Sequence, residues 1–287
     1  MFNCIARFLS FKKINLLSML LSVALLATLI RSAFAETAPP APGTVIAPKL
    51  AKIFGGDKDD VLSSMLVDSQ GNAYFIGETK SFFDKTYGDI LVVKLKQDGS
   101  LAWAKTLGTN EDDGVKGYID GEHGGPARMA ALGPDGSLYI AGRTSVKGRR
   151  EPQGAILFKV TSTGDLAWSQ IWRPHWNPQM NGQAWGSVVA VSGNKVYLAG
   201  STGAGQTSEE GMIFLASFDA ATGQQKSILA VDPNPTVNDR VFSIIAHGNN
   251  ITLAGWNGKT NRGQLSQFTD DGSKLTHLWT KRVPLSS

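Results

Sequence analysis

From residue 50 onward the apolar positions come in short runs of strand length, many of them alternating with polar or small residues. None repeats with the 3.6-residue period of an amphipathic helix. One run, Gly71-Asn72-Ala73-Tyr74-Phe75-Ile76-Gly77-Glu78-Thr79, opens on a turn and closes on glycine. It returns as Gly136-Ser137-Leu138-Tyr139-Ile140-Ala141-Gly142-Arg143-Thr144. With one extra residue before the strand it appears again from Gly193 to Thr202 and from Gly248 to Asn257. A second unit follows about 20 residues later: a strand, a glycine turn and a further strand. It reads Asp89 to Leu95 with Asp98-Gly99 and Trp103, then Ala155 to Val160 with Gly164 and Trp168. The third and fourth copies are Met212 to Phe218 with Thr222-Gly223, and Gln264 to Phe268 with Asp271-Gly272 and Trp279. Each copy also opens on an aliphatic run: Val61 to Val67, Ala127 to Leu132, Ser187 to Val191 and Val241 to Ala246.

Four short strands per copy, with D-G, N-G and T-G turns that supply positive φ, predict tandem four-stranded antiparallel units. Such units are the blades of a β-propeller, so the expected fold is all-β with about four four-stranded antiparallel blades. Gly77, Gly142, Gly200 and Gly255 mark places where neighbouring backbones approach too closely for a Cβ. Tyr74, Tyr139 and Tyr197 are expected to pack between blades. Trp103, Trp168 and Trp279 share one repeat position, which marks them as packing residues, since a single active site has no need of the same residue in three blades.

The stretch Gly55 to Gly108, GGDKDDVLSSMLVDSQGNAYFIGETKSFFD…GDILVVKLKQDGSLAWAKTLG, resembles the bacterial seven-bladed β-propeller repeat family. That family's pattern is an acidic lead-in, D-x-x-G-N-x-Y-x-x-G-x-T and K-L-x-x-x-G-x-x-x-W-x-K. The match is strong in copy one, clear in copy two and degenerate in copies three and four, where Ala216 replaces the lysine and Thr252 the tyrosine. The resemblance implies a fold and an exported setting; it carries no shared catalytic residues. Four repeats stand here, not seven.

The repeat frame also begins early. Leu50-Ala51-Lys52-Ile53-Phe54-Gly55 matches Trp103 to Gly108, the last strand of a copy, yet copy four has its own final strand near Leu278 to Val283. Either the early segment adds a fifth strand to the last blade and closes a ring, or the blades form an open arc whose apolar edge pairs with another chain. The closed ring is preferred, because a monomer then needs no partner.

Ahead of the repeats, basic residues Arg7, Lys12 and Lys13, an apolar run from Ile14 to Ile30 and the small residues Ala33-Phe34-Ala35 follow the plan of a secretory signal over residues 1–35. Cleavage after Ala35 is preferred to an uncleaved anchor, which the run is just long enough to form, since the A-x-A site follows directly. Residues 36–49 form a Pro-rich linker, and residues 50–287 the propeller domain. Cys4 is the one cysteine, so an exported mature chain has neither disulfides nor thiol chemistry. The sequence pI near 9.1 owes its basic value to the signal, because removing its four Lys and Arg leaves 24 basic residues against 24 acidic ones. Nucleic acid and anionic membrane thereby lose their main support as partners. A secreted or periplasmic location is expected, with membrane association only if the signal is retained.

Candidate chemistry is sparse. His123, His175, His247 and His277 occupy four different repeat positions with no paired spacing for zinc. Gly258-Lys259-Thr260 ends like a phosphate loop, but Leu253 stands where that loop needs its first glycine. No G-x-S-x-G elbow occurs. Phe218-Asp219-Ala220-Ala221-Thr222-Gly223 resembles the A-x-D-x-x-T-G-x-x-x-W motif of pyrroloquinoline-quinone dehydrogenase propellers, but it occurs once and Ser227 stands for the Trp. A hairpin turn is the simpler reading. Acidic residues cluster at Asp57, Asp59 and Asp60 and at Glu111, Asp112, Asp113, Asp120 and Glu122, chemistry that suits calcium, yet neither stretch fits a known calcium loop. Solvated loop charge is preferred, and no cofactor is expected.

The connection from Trp172 to Trp185 holds three Trp, His175, Arg173 and several amides where the repeat demands none of them. Trp172, His175, Trp176 and Trp185 are the candidate ligand-binding residues, for a saccharide or protein ligand, with filling of a gap between blades as the competing role. The insert from Thr109 to Pro126 is placed as the facing wall. The preferred function is an exported, non-catalytic binding or scaffold module. The alternative is a propeller enzyme acting on saccharide or using a bound cofactor such as pyrroloquinoline quinone.

Overall fold

The alternating runs fold as strands, and the glycine turns between them reverse the chain. A computed structural model describes residues 54–82, 88–109, 112–115, 129–145, 154–173, 184–203, 211–231, 239–258, 260 and 262–282, all within the unit Lys52–Ser287. The signal segment, the Pro-rich linker, His175 and Trp176 lie outside the described residues, which contain no helix. Sheet one is β1 (Asp60–Val67), β2 (Ala73–Thr79), β3 (Asp89–Leu95) and β4 (Leu101–Leu107). Sheet two holds β5 (Asp112–Gly114), β6 (Ala130–Leu132), β7 (Leu138–Ser145), β8 (Gly154–Val160) and β9 (Leu166–Trp172). Sheet three is β10 (Ala184–Ser192), β11 (Lys195–Gly203), β12 (Gly211–Asp219) and β13 (Gln225–Ala230). Sheet four is β14 (Arg240–His247), β15 (Asn250–Asn257), β16 (Arg262–Asp270) and β17 (Leu275–Arg282). Within each sheet every pairing is antiparallel, and sequential except that β5 pairs with β7 alongside β6, so the molecule has the blade architecture of a β-propeller.

Alternation buries both faces of the middle strands. Tyr74, Ile76 and Val92 of sheet one meet Ile140, Ile156 and Phe158 of sheet two in one apolar cluster. The same pattern joins sheet two to sheet three through Tyr139 and Phe214, and sheet three to sheet four through Tyr197 and Phe268. Each such side chain, fully buried, contributes about 1.5–3 kcal/mol. The three tyrosines pack between blades.

A polar latch accompanies each apolar interface. Lys94 and Trp103 of sheet one both donate to the carbonyl of Ser162, at 3.3 and 3.1 Å. Tyr139, Lys159 and Trp168 of sheet two all donate to the carbonyl of Ala220, at 3.2, 3.0 and 3.3 Å. Ser162 and Ala220 occupy the same place in the hairpin that joins the third and fourth strands of the next sheet. The ring of each Trp lies on the glycine of that hairpin, Gly164 or Gly223, whose positive φ opens the seat. In sheet three the register sets Ser217, not Ala216, opposite Tyr197 where Lys94 and Lys159 face their tyrosines, which corrects the sequence alignment. The lysine comes instead from Lys195 on β11, which donates to the corresponding carbonyl, Asp270, at 3.3 Å.

The first strands carry a one-residue bulge in sheets one, three and four, between Leu62 and Ser64, Gly186 and Val188, and Val241 and Ser243. The bulge turns a carbonyl into the second strand, so a Cβ on Gly77, Gly200 or Gly255 would strike the carbonyl of Val61, Trp185 or Arg240. In sheet two the first strand is split. β5 pairs with Arg143–Ser145 and β6 with Leu138–Ile140, which leaves Val115 and Met129 opposite Gly142 and Ala141. The described strand thus breaks between Val115 and Met129, at the position of the single bulge residue in the other sheets.

The four sheets do not close into a ring. Phe54, at the described end of the segment expected to fasten the ring, packs against Leu91, Val93 and Leu95 on the outward face of sheet one. The preference for closure is thereby corrected. On the face of sheet four that corresponds to the Val188, Tyr197, Ile213 and Leu215 face of sheet three stand Ser243, Ile245, Thr252, Gly263, Leu265 and Gln267, with Ile245 and Leu265 exposed.

Candidate functional site

The hairpins joining first to second and third to fourth strands are short, so they gather at one end of the sheets, and the longer connections gather at the other. At that loop-bearing end, the residue after each strand-closing glycine breaks the repeat: Glu78, Arg143, Ser201 and Trp256. Their in-register partners on the first strands are Val61, Gly114, Trp185 and Arg240. Gly114 is the side-chain-free centre of one pair. A Cβ there would strike the Glu78 carboxylate from sheet one and would lie 3.4 Å from the Arg143 guanidinium. In sheet four the Arg240 guanidinium lies 5.7 Å from the centroid of the Trp256 ring. Glu78, Arg143, Trp185, Ser201 and Trp256 are all half-buried.

Of the residues chosen from sequence, Trp172 ends β9 with its ring 4.4 Å from that of Phe214, inside the cluster between sheets two and three. Its described contact is packing. Trp185 is one of the rim positions, on β10 opposite Ser201. Sequence reasoning passed over Glu78, Arg143, Arg240 and Trp256. Glu78, Arg143 and Trp256 were visible as the unlike residues that follow a repeated glycine.

Two of the acidic residues read as solvated charge prove to be built into the sheets. Asp60, Asp113 and Asp239 occupy one repeat position, opposite Thr79, Thr144 and Asn257. Asp60 accepts from Thr79 Oγ1 at 2.5 Å, Ser81 Oγ at 2.8 Å and Gly56 N at 2.8 Å. Burial raises its carboxyl, and these hydrogen bonds outweigh burial and hold it below its ordinary range. Asp113 is 1% exposed. Asp57 and Asp59 are exposed, as expected. No three His, Cys, Asp or Glu side chains come together at metal-binding distance among the described residues. The quinoprotein-like stretch forms a hairpin in which Asp219 accepts from the amides of Ala221 and Thr222 and from the Thr222 hydroxyl. These bonds, Thr222 first, hold the Asp219 carboxyl low.

No family model and no curated protein matches the chain. Among solved structures it is similar to an α-L-arabinofuranosidase from Fusarium graminearum in complex with an iminosugar inhibitor, at 13% identity and a TM-score of 0.47, over 77% of this chain and 66% of that one. An α-L-arabinanase from Penicillium chrysogenum with arabinobiose gives 12% identity and a TM-score of 0.47, over 82% and 70%. A quinohemoprotein alcohol dehydrogenase from Pseudomonas putida gives 13% identity and a TM-score of 0.45, over 77% of this chain and 36% of that one. The chain thus spans about a third of the dehydrogenase and just under two thirds of the arabinofuranosidase.

Proposed function

We propose that this is an exported propeller that holds a saccharide at the loop-bearing rim of its sheets. One observation carries the reading: at a height fixed by four repeated glycines, the repeat is abandoned for Glu78, Arg143, Trp185, Arg240 and Trp256. The repeat asks for none of these residues there, since they differ from sheet to sheet where the glycines agree. Their chemistry suits hydroxyl-rich rings, which stack on indole faces and hydrogen-bond to carboxylate and guanidinium groups. Trp172 closes the gap between sheets two and three, and Trp185, with His175 and Trp176 nearby in sequence, extends the rim.

A second reading, a propeller enzyme acting on saccharide, is favoured by the Glu78 carboxylate held near Arg143 over a residue with no side chain. Glycoside hydrolysis uses two carboxyl groups on opposite sides of the scissile bond. Glu78 would supply one.

A glycan array probed with the purified protein tests the binding reading, followed by titration of the best oligosaccharide and an assay for its cleavage. Trp185→Ala is expected to weaken binding at least about tenfold, in line with about 1.5 kcal/mol for one lost aromatic stack. Trp103→Phe, which alters a latch, is expected to leave binding unchanged. An array with no saccharide bound, or binding indifferent to Trp185→Ala, would overturn the reading. Cleavage abolished by Glu78→Gln would decide for the enzyme.

A further inference from the structure

The repeated Asp/Thr pair is satisfied in sheet one and unsatisfied in sheet two. In sheet one the Asp60 carboxylate takes hydrogen bonds from Thr79, Ser81 and the Gly56 amide. At the same position in sheet two, Asp113 Oδ2 accepts from the Thr109 amide. Asp113 Oδ1 and the hydroxyl of Thr144, its in-register partner, are both buried without a hydrogen-bond partner among the described residues. A second carboxylate stands beside them. Asp89, 4% exposed at the start of β3, crowds the point that a Cβ of Gly108 would occupy, and Asp113 Oδ2 lies 3.2 Å from the same point. The Asp113 amide donates to the Gly88 carbonyl at 3.0 Å, so the two acids are fixed together at the junction of the first two sheets.

Two buried carboxylates at one point repel, and an orphaned buried acceptor destabilises further. A bound cation resolves both. We propose that a divalent cation of the calcium type binds between sheets one and two, held by the carboxylates of Asp89 and Asp113 and the hydroxyl of Thr144. Hard oxygen donors of mixed kind, with main-chain carbonyls and water completing the shell, suit calcium better than magnesium, which demands stricter octahedral geometry. The ion's role is that of a staple between blades in a chain whose exported form would have no cysteine.

Calorimetric titration of the purified, metal-stripped protein with calcium chloride tests this, together with thermal unfolding in calcium and in chelator. One calcium per chain is expected, with a Kd at or below about 10⁻³ M. At calcium a hundredfold above Kd, the midpoint should rise by about 5–10 °C. Asp113→Asn should weaken binding at least tenfold. Thr144→Val, which keeps the shape of the side chain, should weaken it severalfold and serves if the first variant fails to fold. Asp60→Asn should bind calcium like the parent, since that carboxylate is already engaged. A folded parent that binds no calcium overturns the proposal, as does binding unchanged in both Asp113→Asn and Thr144→Val. A midpoint that ignores calcium and climbs on acidification also overturns it, and assigns the pocket to a proton shared by the two acids.

Discussion

Gly223 shows how a single missing Cβ sets the spacing of two sheets. Its φ of +73° belongs to the left-handed region, and a Cβ would lie 2.8 Å from the Trp168 ring of the preceding sheet. Gly193 shares the conformation, φ +58°, but has nothing within 4 Å of its Cβ position. Alanine at Gly193 is therefore expected to cost about 1–2 kcal/mol, the ordinary penalty of left-handed backbone. Alanine at Gly223 adds an overpacking cost of about 1–3 kcal/mol, because the indole must leave its seat. Urea unfolding of the two variants measures the difference, and equal losses would remove Trp168 from its seat. The T-G turn was plain in the sequence. Its second role as the seat for a neighbour's tryptophan was not, because the contact joins residues 55 apart in the chain.

The strands follow the alternation closely, since a period-two pattern bounded by glycine turns leaves the chain few other ways to bury its apolar side. The split of the first strand of sheet two was not legible. The aliphatic run from Ala127 was read as a whole strand, and only the ladder shows that Asp112–Gly114 and Ala130–Leu132 share β7. In the other sheets one bulge residue stands where the chain here leaves at Val115 and returns at Met129. Replacing 116–128 by a single serine is expected to give a bulged first strand like those of the other sheets, with cooperative unfolding kept. Thermal unfolding of the deletion variant checks this, and loss of cooperative folding would show the insert to be part of the core. The rim residues escaped notice for a related reason. Repeats draw the eye to what recurs, whereas Glu78, Arg143 and Trp256 are informative because they differ where the glycines before them agree.

The four-blade organisation was visible in the sequence, but closure was not, since closure depends on which faces meet and not on which strands exist. Sheets one to three each send donors to a hairpin carbonyl on the sheet that follows: Ser162, Ala220 and Asp270. Sheet four keeps Trp279 at the latch position, opposite Gln267 in the ladder, with the Lys281 ammonium 5.2 Å from its ring. In an open succession that indole has no following hairpin to grip. In a closed ring it would rest on the turn of sheet one that carries Gln97 and Gly99. Comparing Trp168→Ala with Trp279→Ala by equilibrium unfolding separates the two arrangements most directly. The open arrangement predicts a loss of about 2–4 kcal/mol for Trp168→Ala, which empties a half-buried seat, and less than about 1 kcal/mol for Trp279→Ala. Equal losses in the two variants would contradict it and show that the fourth sheet grips the first.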